Sequence, residues 1–77
     1  MSTIAEIVGQ RIRNFRTQRK WSQEKLAEKA DLHPSYIGQI ERAEKNATVE
    51  SMEKISIALE IPMSRLFQNL GGKASDY

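Results

Sequence analysis

Residues 23–42 read QEKLAEKADLHPSYIGQIER, and the apolar spacing in this stretch predicts two short helices joined by a tight turn. Leu26, Ala27 and Ala30 recur at helical spacing and form one apolar stripe. After a break, Ile37 and Ile40 form a second stripe, three residues apart. We expect the second helix to be presented to a binding partner.

The break between the stripes contains residues that end one helix and start the next. Ser22 precedes the first helix and is a suitable N-cap. Asp31 occupies the turn, where the chain needs a residue that tolerates the left-handed conformation. Pro34 suits the first position of the second helix, because its φ is fixed and its missing N–H is not needed there. His33 is then the flanking residue.

Three further helices are predicted around this pair, and no strand pattern is present. The first spans about Ile4 to Lys20, and Gly9 within it indicates either a close packing contact or a ragged start. The fourth follows Thr48, a good N-cap, and the fifth opens at Pro62. Residues 71–77 begin with two glycines and are predicted to be a flexible tail, which leaves residues 1–70 as one domain.

The apolar residues of the outer helices define the predicted core. On the first helix they are Ile4, Ile7 or Val8, Ile12 and Phe15. On the fourth helix they are Val49, Met52, Ile55 or Ile57, Ala58 and Leu59. Because a chain of 77 residues can bury only a modest core, dimerisation is a natural way to gain stability.

Charge is unevenly spread along the chain, although the formal net charge is only +2. Residues 1–30 contain seven basic and three acidic side chains, whereas residues 31–77 contain five basic and seven acidic ones. Such an imbalance favours the approach of a polyanion to one side, and the alternative is an ordinary solvated surface of mixed charge.

Composition excludes several function classes. The chain has no cysteine and one histidine, and its spacing shows no catalytic triad, metal-ligand cluster or glycine-rich phosphate loop, so we expect no enzyme, no metal and no cofactor. No apolar run approaches the roughly 18 residues of a membrane helix, and the N-terminus does not read as a signal peptide. We therefore expect a cytoplasmic protein.

The central stretch resembles the helix-turn-helix of the Xre/Cro family of DNA-binding regulators. The resemblance covers about Val8 to Phe67 and rests on four segments: RIRNFR (11–16), WSQEKLA (21–27), YIGQIER (36–42) and LEI (59–61) before Leu66 and Phe67. The segment from Leu32 to Arg42, followed by Lys45 and Asn46, is most similar to the small controller proteins of restriction–modification systems.

This resemblance implies an all-α, compact five-helix bundle of the phage-repressor-like type, with the helix-turn-helix formed by helices 2 and 3. It implies a transcriptional regulator, repressor or activator, that binds a near-palindromic double-stranded DNA operator as a homodimer. RNA polymerase is a further candidate partner, and no small-molecule ligand is expected. The alternative is an antitoxin or protein-interaction module, which an apolar exposed face on helix 3 would favour.

The predicted DNA contacts lie on and after helix 3. Base contacts are assigned to the residues predicted to be exposed at its start, namely Pro34, Ser35, Gly38 and Gln39. Gln39 is the best base reader, because its amide can bond bidentately to adenine. Related controller proteins often have Arg at the position of Pro34, so strong guanine readout is not expected. Backbone contacts are assigned to Gln23, Tyr36, Arg42, Lys45 and Asn46, with ring packing over helix 2 as the alternative role for Tyr36.

Two structural features, an ion pair and a dimer interface, are also predicted. The resemblance implies an ion pair between Arg16 and Glu41, and it usually places Gly at the position of Ala43. The C-terminal residues are rich in apolar side chains, and we expect some of them to face a second copy of the protein, the predicted interface being Ile61, Met63, Leu66 and Phe67. The alternative is that these residues, with Leu70, only close the monomer core.

Overall fold

Five α-helices account for most of the chain in the computed structural model, which describes residues 2–70. They are α1 (Ile4–Gln18), α2 (Gln23–Ala30), α3 (Pro34–Glu41), α4 (Val49–Leu59) and α5 (Ser64–Phe67). The predicted all-α architecture is confirmed, since residues 2–70 contain no strand. The predicted tail at 71–77 lies outside the described residues. No helix within the described range is long and apolar enough to cross a membrane.

Local side-chain chemistry starts α2, α3 and α4 and ends α2 as predicted. The Ser22 and Thr48 hydroxyls accept hydrogen bonds from backbone N–H groups in the first turns of α2 and α4. His33 caps α3 by accepting the Ser35 N–H at Nδ1, and Pro34 follows it as the first helical residue. Asp31 adopts the left-handed conformation, with φ of 56°. These contacts all join residues at most three apart in the chain.

Two helix boundaries differ from the prediction. Helix α1 ends at Gln18 rather than at Lys20, because Lys20 itself adopts a left-handed φ of 59°. Helix α5 begins at Ser64 rather than at Pro62. The hydrogen bonds from Arg65 N–H to the Pro62 carbonyl and from Leu66 N–H to the Met63 carbonyl each span three residues, so the chain first curls in a tighter turn.

The core brings together one stripe from each helix. Its largest fully buried side chains are Ile12, Leu26, Ile37, Ile40, Ile55, Leu59 and Leu66. Of the two alternative core residues predicted on α4, Ile55 is buried and Ile57 is 68% exposed. The prediction that Val49 is buried was wrong, because it is 69% exposed. Val49 and Ile57 each lie two residues, or about 200° around the axis, from the core-facing Ser51 and Ile55.

Two apolar residues at the ends of the chain also differ from the prediction. Ile4, predicted to belong to the core, is 61% exposed in the first turn of α1. Leu66, predicted to contact a second copy, is fully buried within the monomer. The turn before α5 directs Leu66 inward, against a core that includes Ile12 and Leu59. Leu66 is therefore removed from the predicted dimer interface.

Gly9 marks the closest approach between α1 and α3. A Cβ atom at this position would collide with the Ile40 carbonyl oxygen and lie 3.0 Å from the Glu41 carbonyl oxygen. Of the two readings of Gly9, the close packing contact is therefore correct. The C-terminal end of α3 rests directly on the backbone of α1.

Candidate nucleic-acid interface

Helix α3 is anchored by one face and leaves the other accessible. Ile37 and Ile40 are 0% and 1% exposed and hold it against the core. Ser35 is exposed, and Pro34 and Gln39 are half-buried. The helix has eight residues, and an α-helix with its side chains is about 10 to 12 Å across, which fits the approximately 12 Å width of the DNA major groove.

Gly38 does not lie on the open surface where the sequence placed it. It is buried, and a Cβ atom there would lie 2.9 Å from Arg42 Nη1 and 3.3 Å from Gln23 Oε1. The prediction of an exposed base-contacting glycine was therefore wrong. The absence of a side chain instead makes room for the Arg42 and Gln23 side chains, which cover the backbone of α3 at this point.

Three helices meet at the carboxylate of Glu41, the last residue of α3. Arg16 of α1 donates two hydrogen bonds to it, from Nε at 2.7 Å and from Nη2 at 3.0 Å. Gln23 Nε2 of α2 donates a third at 3.1 Å, and Arg16 Nη1 also donates to the Trp21 carbonyl at 2.7 Å. The Arg16–Glu41 ion pair is thus present in the structure, and its bidentate geometry fixes the orientation of α3.

Gln23 is one of the residues that line a cleft beside the first turns of α2 and α3. The cleft has a volume of about 670 Å³ and is lined by Arg16, Ser22, Gln23, Glu24, Pro34 and Ser35. Backbone N–H groups at the start of a helix carry partial positive charge and suit a phosphate. The Gln23 side chain donates to Glu41 and so braces α3, and its predicted contact with the DNA backbone stays a prediction.

The segment after α3 places three predicted backbone contacts on the surface. Arg42, Lys45 and Asn46 are all exposed. The Lys45 N–H donates to the Gln39 carbonyl at 3.3 Å, which holds the loop against the helix end. Ala43 adopts a left-handed φ of 59°, the conformation that Gly adopts most readily.

Sequence reasoning missed that Arg42 has an acidic neighbour. Its Nε and Nη2 atoms donate to the two Glu44 carboxylate oxygens at 2.8 and 3.2 Å. This hydrogen bonding to Glu44 raises the pKa of Arg42, and the same bonds lower the pKa of Glu44. The charge signs two residues apart were visible in the sequence, but the loop conformation that joins them was not.

Tyr36 is half-buried and bonded to α4. Ser51 Oγ donates to its hydroxyl oxygen at 3.0 Å, and Thr48 Oγ1 donates to Ser51 at 2.8 Å. Burial raises the pKa of Tyr36, but the hydrogen bonds with Ser51 and Thr48 and the positive charge of Lys45 outweigh it, so the pKa is lowered. The Tyr36 O–H remains a donor, and its predicted phosphate contact stays a prediction.

An apolar cleft of about 360 Å³ lies beside the end of α5. Its lining includes Ile4, Val8, Met52, Phe67 and Leu70. Phe67 is 40% exposed, whereas the other two predicted interface residues, Ile61 and Met63, are half-buried. Ile4 was predicted to belong to the core because it lies at helical spacing from Val8 and Ile12. The same spacing also fits an apolar residue that faces this cleft.

Comparisons with known proteins agree with this geometry. A family profile described as helix-turn-helix matches residues 12–66. The chain is 37% identical over 70 residues to the control protein C.SmaI of Serratia marcescens, covering 91% of this chain and 83% of that protein. Its structure superposes on the restriction–modification controller protein C.AhdI from Aeromonas hydrophila with a TM-score of 0.80 and 38% identity, over 82% of this chain and 96% of that one.

A further solved structure includes DNA. The biofilm master regulator SinR, crystallised in complex with DNA, superposes with a TM-score of 0.73 and 37% identity, over 77% of this chain and 95% of that one. The family profile covers more than half of the chain, and the relatives are transcriptional regulators and controller proteins. The chain therefore belongs to the helix-turn-helix family of Xre-like DNA-binding regulators, which are not enzymes.

Proposed function

We propose that this chain is a sequence-specific transcriptional regulator that binds a near-palindromic double-stranded DNA operator as a homodimer. We further propose that it is the controller protein of a restriction–modification system. The main support for the proposal is the way in which other helices hold α3 in place. Its end is braced by Glu41 to two other helices, while Ser35 and Gln39 remain accessible on the outer face.

The exposed face of α3 supports DNA rather than protein as its partner. Ser35 and Gln39 are polar, and an amide such as that of Gln39 can bond bidentately to adenine in the major groove. A helix that binds another protein exposes apolar side chains on its outer face, but the apolar Ile37 and Ile40 of α3 are buried. The positions in α3 therefore favour base readout over the antitoxin alternative.

The apolar cleft beside α5 supports a homodimer. Phe67, Ile4 and Val49 are large apolar side chains that the monomer leaves 40 to 69% exposed. Asn46, from the loop that follows α3, lines the same cleft as Phe67. Pairing two copies through this cleft would cover Phe67 and Ile4 and bring the two α3 helices close to the two-fold axis. Half-sites of such an operator lie about 34 Å apart, one helical turn.

The controller role is supported by the proteins that this chain resembles. C.SmaI is named a control protein, and C.AhdI is a restriction–modification controller protein. Sequencing the DNA around the gene tests this part of the proposal. Genes for a restriction endonuclease and a methyltransferase beside it are expected, and a toxin gene in their place would favour the antitoxin alternative.

DNA binding is tested by fluorescence anisotropy with labelled duplexes from the region upstream of the gene. The wild-type protein is expected to prefer one of these duplexes over a shuffled sequence of equal length. Gln39→Ala should weaken binding to that duplex by roughly five- to 150-fold, the loss of about 1 to 3 kcal/mol for one base contact. Binding to the shuffled duplex should hardly change.

The matched control is Gln10→Ala, which removes an exposed glutamine from α1. This variant should bind both duplexes as the wild type does. Equal affinity of the wild-type protein for all duplexes would contradict sequence-specific recognition. If Gln39→Ala weakens binding to both duplexes equally, Gln39 does not read a base. The proposal that the protein binds DNA would still stand.

A further inference from the structure

Basic side chains alternate with aromatic rings on a surface formed by α1, α2, α5 and the turn after α1. The Lys29 Nζ atom lies 5.1 Å from the centroid of the Trp21 ring, and Arg19 Cζ lies 6.0 Å from the same ring. Arg19 Cζ and Arg65 Cζ lie 5.8 and 5.5 Å from the Phe15 ring. We call these five side chains the cation–aromatic series. Their distances are those of cation–π contacts.

The middle of the series is structural and its ends are open. Arg19 is half-buried and donates to the Phe15 and Leu59 carbonyl oxygens at 2.9 and 2.6 Å, which ties α1 to the end of α4. Lys29 and Arg65 are exposed at the two ends. Within residues 2–70, neither has a carboxylate within salt-bridge distance. Their charge is therefore available to a partner.

A cleft of about 310 Å³ adjoins the series at Arg65. It is lined by Arg11, Asn14, Phe15, Gln18, Arg65 and Gln68. Arg11 uses one N–H to bond the Gln68 carbonyl at 2.6 Å, and its remaining donors are not engaged by the described residues. Two guanidinium groups therefore border one cleft with unused donors, together with neutral amide side chains and an aromatic ring. Guanidinium groups bind carboxylates through paired hydrogen bonds.

The cleft at Arg65 lies on a different side of α1 from the contact with the recognition helix. On α1, Gly9 and Arg16 face the end of α3. Arg11 and Gln18 follow them by two residues each, which is about 200° around the helix axis. Arg11 also borders a second cleft, together with Glu41 and Arg42. Since α1 with its side chains is about 10 Å thick, we expect a duplex held by the outer face of α3 to leave the cleft at Arg65 uncovered.

We propose that the cation–aromatic series and its adjoining cleft bind an acidic segment of a partner protein while α3 holds DNA. The chemistry matches such a segment, because Arg65, Arg11 and Lys29 suit carboxylates and the Phe15 and Trp21 rings suit apolar side chains between them. The series has four cation–ring distances of 5.1 to 6.0 Å. An extended peptide of about six residues spans roughly 20 Å, which is similar to the path that joins the five side chains in order.

The test uses the full-length protein and a fluorescein-labelled hexapeptide with the sequence Glu-Glu-Leu-Glu-Glu-Leu. Anisotropy is recorded at about 150 mM salt, where charges more than roughly 8 Å apart are largely screened. The same peptide with glutamine in place of glutamate is the probe control. Fluorescence of Trp21, the only tryptophan of the chain, reports whether the peptide reaches the series. Circular dichroism confirms that each variant is folded.

The expected result is binding of the acidic peptide with a change in Trp21 emission, and no binding of the neutral one. Arg65→Gln and Lys29→Gln should each weaken binding about two- to fivefold, the range of exposed charge pairs, and together about tenfold. Arg13→Gln removes the same charge from an exposed site on α1 outside the series and should have little effect. Equal losses for Arg13→Gln and Arg65→Gln would overturn the proposal, because binding would then follow net charge alone.

A second arm separates protein from nucleic acid as the occupant. A duplex that the protein binds through α3 should leave the peptide bound, with unchanged Trp21 emission. Displacement of the peptide by DNA, suppressed by Arg65→Gln, would assign the surface to nucleic acid and overturn the proposal. Peptide binding by a protein that binds no duplex would refute the proposed function and leave the acidic-segment site standing.

Discussion

The Glu41 carboxylate accepts two hydrogen bonds from the Arg16 guanidinium, and their side chains are only 3% and 11% exposed. A carboxylate at the C-terminal end of a helix is disfavoured by the helix dipole. Arg16 offsets this cost and joins α3 to α1, and Gln23 joins the same carboxylate to α2. The orientation of the recognition helix therefore depends on a polar contact among three helices.

We expect Arg16→Met to destabilise the protein by about 3 to 5 kcal/mol, because it leaves the Glu41 charge buried without its partner. The double variant Arg16→Met with Glu41→Leu should recover most of this loss, since no buried charge remains. Urea unfolding followed by circular dichroism measures both. Equal destabilisation by the single and double variants would show that packing, not charge, is what Arg16 supplies.

Gly9→Ala should destabilise the fold by about 1 to 3 kcal/mol. Alanine is the better helix former by up to about 1 kcal/mol, but its Cβ would collide with the Ile40 carbonyl oxygen. Thermal melting measures the change. Arg13→Ala, at an exposed position of the same helix, is the control and should shift the melting temperature little. A more stable Gly9→Ala variant would refute the close contact between α1 and α3.

Ala43→Gly should stabilise the protein by about 0.5 to 1 kcal/mol. The left-handed φ of 59° costs an alanine roughly 1 to 2 kcal/mol, and the greater freedom of glycine in the unfolded chain offsets part of the gain. Ala5→Gly in α1 is the matched control and should lower stability by up to about 1 kcal/mol. Denaturant unfolding distinguishes the two, and equal losses would contradict the left-handed assignment.

Glu44→Gln should raise DNA affinity about two- to fivefold, because it frees Arg42 from an exposed ion pair and leaves its guanidinium for a phosphate. Hydrogen bonding to Arg42 lowers the pKa of Glu44, so the pair is formed at neutral pH and is lost only as the pH falls through that lowered value. Duplex binding near pH 7 therefore starts from the paired state.

Anisotropy with the duplexes described above measures this effect. Glu53→Gln removes an equal charge from an exposed position of α4 and is the control for net charge. If both variants gain the same DNA affinity, the gain comes from the change in net charge. Glu44 then does not restrain Arg42.

Phe67→Ser should abolish dimerisation and leave the monomer folded, since Phe67 is 40% exposed. Leu66→Ala should instead destabilise the fold by about 2 to 5 kcal/mol, because Leu66 is fully buried. Sedimentation velocity over a range of concentrations and thermal melting separate the two effects. Ile57→Ser, at another exposed apolar position, should still dimerise. A Phe67→Ser protein that dimerises normally would place the interface elsewhere.

The sequence determined the starts of α2 and α4 and the end of α2, because a helix cap depends on residues within a few positions along the chain. Ser22 and Thr48 begin α2 and α4, and Asp31 ends α2, as their side-chain chemistry predicts. The buried faces formed by Leu26 with Ala30 and by Ile37 with Ile40 were also predicted from the sequence. Residues three or four apart in a helix lie on the same face.

Only the tertiary structure decided which of several equivalent apolar residues are exposed. Leu66 and Phe67 are neighbours in the sequence, but one is fully buried and the other faces solvent, and the turn that follows Pro62 makes this choice. Gly38 looked open by its helical phase, yet the side chains of Gln23 and Arg42 cover it. Such outcomes depend on segments that are distant along the chain or on long side chains with several rotamers, and neither is encoded in local spacing.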